Sequence, residues 1–393
     1  MSGEPRRIAF FTNTFAPDVN GVAHVVKAFY TELTRRGYEV RVFAPRSRQR
    51  DPFADDPHVC RYASLPVPGM DYALALPGTG PAARELKQQS FDLVHTHHPL
   101  WVGQWGARLA RQGSLPLVTT IHTHYELFAR LAPLPQGMVR SYLRRTVTRY
   151  CNACDLVTTP AESNRQRLVE LGVRPPVVVV PNPIDFQALQ SANGAAVRQR
   201  LGLEDKFVMG YLGRLSPEKR IEIVVEAAAL VCHQRPDAHL VLVGGGTARE
   251  RIERALREHG LQDRTTLVGP VPHDQVADYH AAFDVFLTAS EGETQPLAYA
   301  EAMAVGTPVV AVAEVGAVDM VRDGHNGFLV DKATPAHDMA RAVLRLAHDR
   351  GLLARLAAQA RRDAQQYDIA AATDRLCEAY ELAVARARAA ADE

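Results

Sequence analysis

Short apolar runs rich in Val, Ile, Leu and Phe recur along the first half of the chain, alternating with stretches of helical period. Residues 8–12, 40–44, 93–95, 117–122, 156–159 and 177–180 read as strands, and 22–35, 101–112, 137–154 and 161–171 as helices. This alternation predicts a parallel sheet wrapped by helices. Val180-Pro181-Asn182-Pro183-Ile184-Asp185 then sets two prolines just past a strand, where neither a helix nor a central strand accepts them, and reads as a hinge. Beyond it the pattern restarts, with strands at 207–210, 240–243, 265–268, 285–288 and 309–312 and helices between. Ser216-Pro217-Glu218-Lys219 and Thr334-Pro335 carry the cap and proline of a helix start. The prediction is an α/β chain of two doubly wound domains, 1–183 and 184–393, with ligand in a cleft at the carboxyl ends of the strands. The Ala- and Arg-rich tail is helical, and its last helix is a candidate to cross back to the first domain.

One helical stretch breaks the rule that such patterns keep their charges outside. From Pro296, the run Leu297, Ala298, Tyr299, Ala300, Ala302, Met303, Ala304, Val305 is apolar almost all round, the mark of a helix buried on every side. Glu301 is its single charge and falls on the stripe of small residues, where an unpaired carboxylate is costly. Pro296 suits the first helical turn and leaves Glu293 in the loop before it. One acid at the mouth and one inside suggest a ligand running between them; a structural carboxylate paired with an Arg or a backbone N–H is the other reading.

Composition narrows the class. The chain has 393 residues, enough for two cores, and no apolar run approaches the length of a membrane span. Residues 1–7 form a polar tail without a secretory pattern, so a cytoplasmic protein is expected. The net charge of +1 conceals an asymmetry: residues 1–180 carry 22 Lys and Arg against 14 Asp and Glu, the remainder 23 against 30. A basic first domain suits an anionic partner such as a membrane surface, with nucleic acid as the rival. The five cysteines are scattered, which argues against a disulfide framework, and the Cys151–Cys154 pair has neither a second pair nor a nearby His to make a metal site.

In the second half, Gly213-Arg214 and Lys219 stand where a strand gives way to a helix. An Arg fork and a Lys point charge there suit a diphosphate, although a solvated turn has the same composition. Val243-Gly244-Gly245-Gly246 and Glu314-Val315-Gly316-Ala317 also follow strands. This ordered series, with Gly269-Pro270-Val271, Tyr279, and Glu293 and Glu301 followed by Ala302-Met303-Ala304-Val305-Gly306-Thr307-Pro308, resembles the retaining family-4 glycosyltransferases of the GT-B fold along nearly the whole chain. The resemblance implies that Arg214 and Lys219 hold a donor diphosphate, Glu301 the ribose hydroxyls and Glu293 a hydroxyl of the transferred sugar. It places the backbone near Val271 at the base, with Gly244, Thr294, Gln295 and Leu297 lining the donor. Pro296 stands where the family has Gly, which would remove a backbone donor from a phosphate-facing helix start.

In the first half, Asp18-Val19-Asn20-Gly21 occupies the family's first glycine loop, with Asn20 in place of one glycine, so only Gly21 carries over. His95-Thr96-His97-His98 and His122-Thr123-His124-Tyr125-Glu126 stand at strand ends, open to either metal binding or ordinary hydrogen bonding. By resemblance His122 lies beside the donor sugar and acceptor hydroxyl, with His97 and Tyr125 as neighbours. The apolar loop 127–135 with Arg130 precedes Arg140, Arg144, Arg145 and Arg149 at helical spacing, which reads either as a face for an anionic bilayer or as a solvated one. The segments around His122 and Glu293 look most like the enzymes that glycosylate diacylglycerol or related lipids. The expected activity is hexosyl transfer with retention from a nucleotide sugar, a UDP-sugar foremost, to a hydroxyl of a membrane lipid. No metal, cofactor or nucleic acid is expected. A soluble transferase acting on a polysaccharide or small metabolite is the alternative, and an idle nucleotide-sugar-binding scaffold a further one.

Overall fold

The computed structural model describes residues 6–47, 50–66, 73–76, 90–126, 129 and 134–392. The loop residues 127, 128 and 130–133, Arg130 among them, and the first part of the N-terminal tail lie outside that set. The chain divides into two compact units, residues 1–183 with 369–393 and residues 184–368.

The first unit has strands β1 (Arg7–Phe11), β2 (Glu39–Pro45), β3 (Val59–Tyr62), β4 (Ser64–Pro66), β5 (Ala73–Ala75), β6 (Leu93–Thr96), β7 (Leu117–Thr120), β8 (Leu156–Thr159) and β9 (Val177–Val179). Seven of them form a parallel sheet in the order β3-β2-β1-β6-β7-β8-β9, and β4 and β5 make a separate antiparallel pair. The order reverses between β1 and β6, so the loops after Phe11 and Thr96 open side by side at the switch point. The central strands are buried along nearly their whole length because both faces are covered, and β6, β7 and β8 start apolar and end on buried His and Thr residues. The C-terminal helix Ile369–Asp392 packs on this unit: Arg36 pairs with Asp374, and Tyr380 reaches the ring of His95.

The second unit adds β10 (Phe207–Leu212), β11 (Ala238–Val243), β12 (Thr265–Gly269), β13 (Val285–Thr288), β14 (Val309–Val312) and β15 (Gly327–Val330), parallel in the order β12-β11-β10-β13-β14-β15. Its core follows the period of two. Phe207, Met209, Leu240, Leu242, Leu287 and Val310 meet the helices Ile221–Gln234 and Pro335–His348 on one face. Val208, Val241, Phe286, Val309 and Ala311 meet Val276–Ala282 and Leu297–Val305 on the other. The switch point between β10 and β13 brings together two loops far apart in sequence, Gly213–Lys219 by way of β10 and 289–296 by way of β13.

Several local expectations are corrected. Ser216 does not cap a long helix: Pro217–Lys219 is an isolated 3-10 turn, Arg220 takes a left-handed φ of 47°, and the helix proper starts at Ile221. Ser216 instead donates to Glu218, 2.6 Å away. Pro296 is the N-cap of Leu297–Val305, outside its first turn, so Leu297 and Ala298 keep the N–H groups that open the helix. Strand β3 was not read from the sequence because it is short and Arg61 interrupts its apolar run.

Candidate functional site

The donor-type residues of the second unit converge at its switch point. Three loops are stitched by backbone bonds: Gly213 N–H donates to Val243 (3.0 Å), Leu215 to Gly245 (2.8 Å) and Gly244 to Gly269 (2.8 Å). A Cβ on Gly244, whose φ is 134°, would lie 1.9 Å from the carbonyl oxygen of Gly213, so only glycine lets these loops close. Gly316 does the same on the other side, its φ of 86° bringing it within 2.6 Å, measured from a built Cβ, of the Glu293 carbonyl oxygen.

Within this frame Lys219 forms an ion pair with Glu293, and Ser290 Oγ donates to the same carboxylate at 3.2 Å. Burial by itself pushes the Glu293 carboxyl up, but Lys219, with help from Ser290 and Arg214, outweighs burial and holds it below the usual carboxylate range. Arg214 is more open, 56% exposed at the side chain, and leans toward Glu218 at 3.6 Å; its carbonyl accepts from the buried Tyr211 hydroxyl at 2.9 Å. Arg220, which no sequence signal separated from its neighbours, ties the β13 loop in place by donating to the Ala289 carbonyl (2.7 Å) and to Glu314 (3.0 Å), which Lys332 also reaches (2.8 Å). The arrangement sets two cations beside a carboxylate held ionised. Such a site can grip a diphosphate and a hydroxylated ligand at once.

Glu301 lies eight residues further into the helix, with its side chain 12% exposed. The fully buried His280, on the neighbouring helix, places Nε2 3.7 Å from Glu301 Oε2. Thr294 and Gln295 are buried under the loop, while Leu297 and Val271 pack at the edge of the apolar cluster.

In the first unit the histidines sort themselves by partner. His95 is saturated by the Tyr380 hydroxyl and Thr120 Oγ1, each at 2.7 Å, and so is a core residue. His97 just past β6 and His122 just past β7 meet through Nδ1 and Nε2 at 3.1 Å, with their ring planes 22° apart. Burial, reinforced by the neighbouring imidazoles, holds both well below the ordinary imidazole range. His95 and His98 are pushed down to about 3 and about 4, so all four are neutral at pH 7. Among the described residues no group of three or more His, Cys, Asp or Glu is placed to hold a metal ion. Cys151 and Cys154 are buried free thiols in the core.

Asn20, read as turn chemistry, is the N-cap of helix Gly21–Arg35. Its Oδ1 accepts from Ala23 N–H at 2.9 Å, and its Nδ2 donates to Thr14 Oγ1, which in turn donates to Asp18. Asp18 is thus part of the loop's own bonding, and Gly21 is exposed with nothing within 4 Å of a Cβ. Tyr125 is not on a surface. It is 5% exposed and packs with Ile121, Val147 and Cys151, because the chain turns inward after His122.

The basic helix Gln136–Cys151 keeps Arg140, Arg144, Arg145 and Arg149 exposed. With Arg174 they line an open groove of about 870 Å³ whose acid is Glu170. On its outward stripe, Met138 (71% exposed) and Tyr142 (67%) come first and Arg145 and Arg149 follow at helical spacing. Among the described residues, no helix is long and apolar enough to cross a membrane.

Residues 19–188 match the family described as glycosyltransferase family 4, and residues 195–363 match glycosyl transferases group 1. The chain is 36% identical to the D-inositol 3-phosphate glycosyltransferase of Thermomonospora curvata over 74% of its own length and 71% of that protein. It is 29% identical to the alpha-monoglucosyldiacylglycerol synthase of Streptococcus pneumoniae over 86% and 77%. The crystal structure of HepE from Anabaena in complex with UDP superposes with a TM-score of 0.77 at 22% identity, covering 95% of this chain and 98% of that one. Two doubly wound units, a Lys–Glu ion pair at the second switch point and these likenesses converge: the chain is a glycosyltransferase and belongs to the retaining family 4 with the GT-B fold.

Proposed function

We propose that the chain transfers a hexosyl unit, with retention, from a UDP-sugar to a hydroxyl of a membrane lipid such as diacylglycerol. The observation that carries the lipid reading is the outward face of Gln136–Cys151. Exposed Met138 and Tyr142 sit among Arg145 and Arg149, beside the groove that Arg140 and Arg144 line, which is the make-up of a helix lying on an anionic bilayer. The name of the Streptococcus pneumoniae relative supports the same acceptor class. The protein then works at the membrane surface from the cytoplasmic side, without spanning it.

In this reading Lys219 and Arg214 neutralise the leaving diphosphate, Glu293 holds a hydroxyl of the sugar, Glu301 holds the ribose and His122 orients the transferred unit. The acceptor proton passes to a diphosphate oxygen on the face from which the bond breaks. The two cations take the charge, so no metal ion is required.

A soluble, phosphate-bearing acceptor is the second reading, favoured by the likeness to D-inositol 3-phosphate glycosyltransferases and by the same arginines. Flotation with anionic and neutral liposomes separates the two. The wild-type protein is expected to float with anionic vesicles and to lose at least tenfold in binding when Arg144 and Arg145 are both changed to Gln. Absence of binding, with lipid-independent transfer to a soluble acceptor, overturns the lipid reading. Turnover by wild type but not by Glu301→Ala excludes an idle scaffold.

A further inference from the structure

His280 lies on helix Val276–Ala282 and is fully buried. Neither Nδ1 nor Nε2 has a hydrogen-bond partner. Leaving a buried polar group unsatisfied is costly, so an imidazole with both nitrogens idle is an expensive choice for a position that a Leu or Phe would fill. The ring is wedged edge-on against Phe286 at 5.1 Å and Phe283 at 6.0 Å, and its backbone carbonyl is held by Thr307 Oγ1 at 2.7 Å. What it faces is Glu301, with Oε2 3.7 Å from Nε2, just beyond hydrogen-bonding reach.

We infer that His280 is a positioning residue for Glu301, donating Nε2–H to Oε2 once a ribose occupies the carboxylate. A carboxylate that accepts from two vicinal hydroxyls on one side is oriented by a third donor behind it, and a shift of less than about 1 Å closes the gap to a normal bond. This inference rests on Glu301 being the ribose ligand.

The test is calorimetric binding of UDP and of 2′,3′-dideoxy-UDP to the full-length wild type and to His280→Phe and His280→Gln, with GDP and its dideoxy form used if the wild type prefers the purine. Wild type is expected to bind UDP at least tenfold more tightly than the dideoxy form. His280→Phe, which keeps the packing, is expected to lose about fivefold for UDP and nothing for the dideoxy form, and His280→Gln, which restores an N–H near the Nε2 position, to recover most of the loss. Equal binding of the two nucleotides by wild type removes the ribose role of Glu301, and this inference with it. Wild-type discrimination preserved in His280→Phe, or an equal loss for both nucleotides, overturns the inference alone.

Discussion

Replacing Glu293 with Gln directly tests the proposed donor roles, Lys219 at the diphosphate and Glu293 at a hydroxyl of the sugar, on which the expected outcomes rest. Lys219 and Glu293 form an ion pair with side chains only 17% and 28% exposed. Two unit charges about 4 Å apart attract by about 4 kcal/mol at an effective dielectric of about 20, and desolvation of both ions takes back much of this. A residual of about 1–2 kcal/mol is what a diphosphate must displace when it draws Lys219 away from Glu293. Glu293→Gln removes the competitor while keeping its size. UDP is therefore expected to bind about fivefold to thirtyfold more tightly, the equivalent of that residual. Transfer, by contrast, is expected to fall by about 10–100-fold, because the variant forfeits a hydrogen bond between the sugar and a charged group worth about 1.5–3 kcal/mol. Titration calorimetry with UDP and initial rates with UDP-sugars, on wild type and variant of matching circular dichroism, read the two effects separately. UDP affinity that is unchanged or weaker in Glu293→Gln would refute the reasoning, since Lys219 would then not be restrained by the carboxylate.

Two further outcomes follow from pairs and contacts in the fold. Glu32, hydrogen-bonded by Arg35 and Arg36 and buried, has its carboxyl lowered from 4.5 to about 2, so its contribution is complete above pH 4.5 and disappears as pH falls toward 2. Solvent screening at the exposed Arg35 reduces what this shift is worth, so Glu32→Gln is expected to cost about 1 kcal/mol in urea unfolding at pH 7, and the gap to wild type should close in acid; a gap independent of pH would sink this account. Gly244→Ala forces a Cβ against the Gly213 carbonyl at a φ of 134°, and is expected to destabilise the second unit by about 2 kcal/mol or more and to weaken nucleotide binding. An unshifted melting temperature would contradict it.

Much of the fold was legible because most buried parallel strands are short β-branched or apolar runs and each helix carries its own period, both of which are local properties. Tight junctions were less legible. The Ser216–Lys219 turn and the Asn20 cap have the composition of several local structures, and the hydrogen bonds that decide between them run to Glu218 and to Ala23 and Thr14. Tyr125 reads from the sequence only as a neighbour of His122, and its burial depends on Val147 and Cys151, which a separate helix brings to it.

For the site, the sequence by itself determined the inventory: the acids at 293 and 301, the cations at 214 and 219, the glycines after β11 and the arginine-bearing helix. The pairings come from the way the elements stack. Lys219 meets Glu293 because the sheet reverses its order between β10 and β13, Arg36 meets Asp374 because the last helix returns to the first unit, and His280 faces Glu301 because their two helices cover the same face of the sheet. Periodicity encodes which way a side chain points from its own element. The distance between two such side chains is set by the order in which elements stack, and no local pattern carries that order.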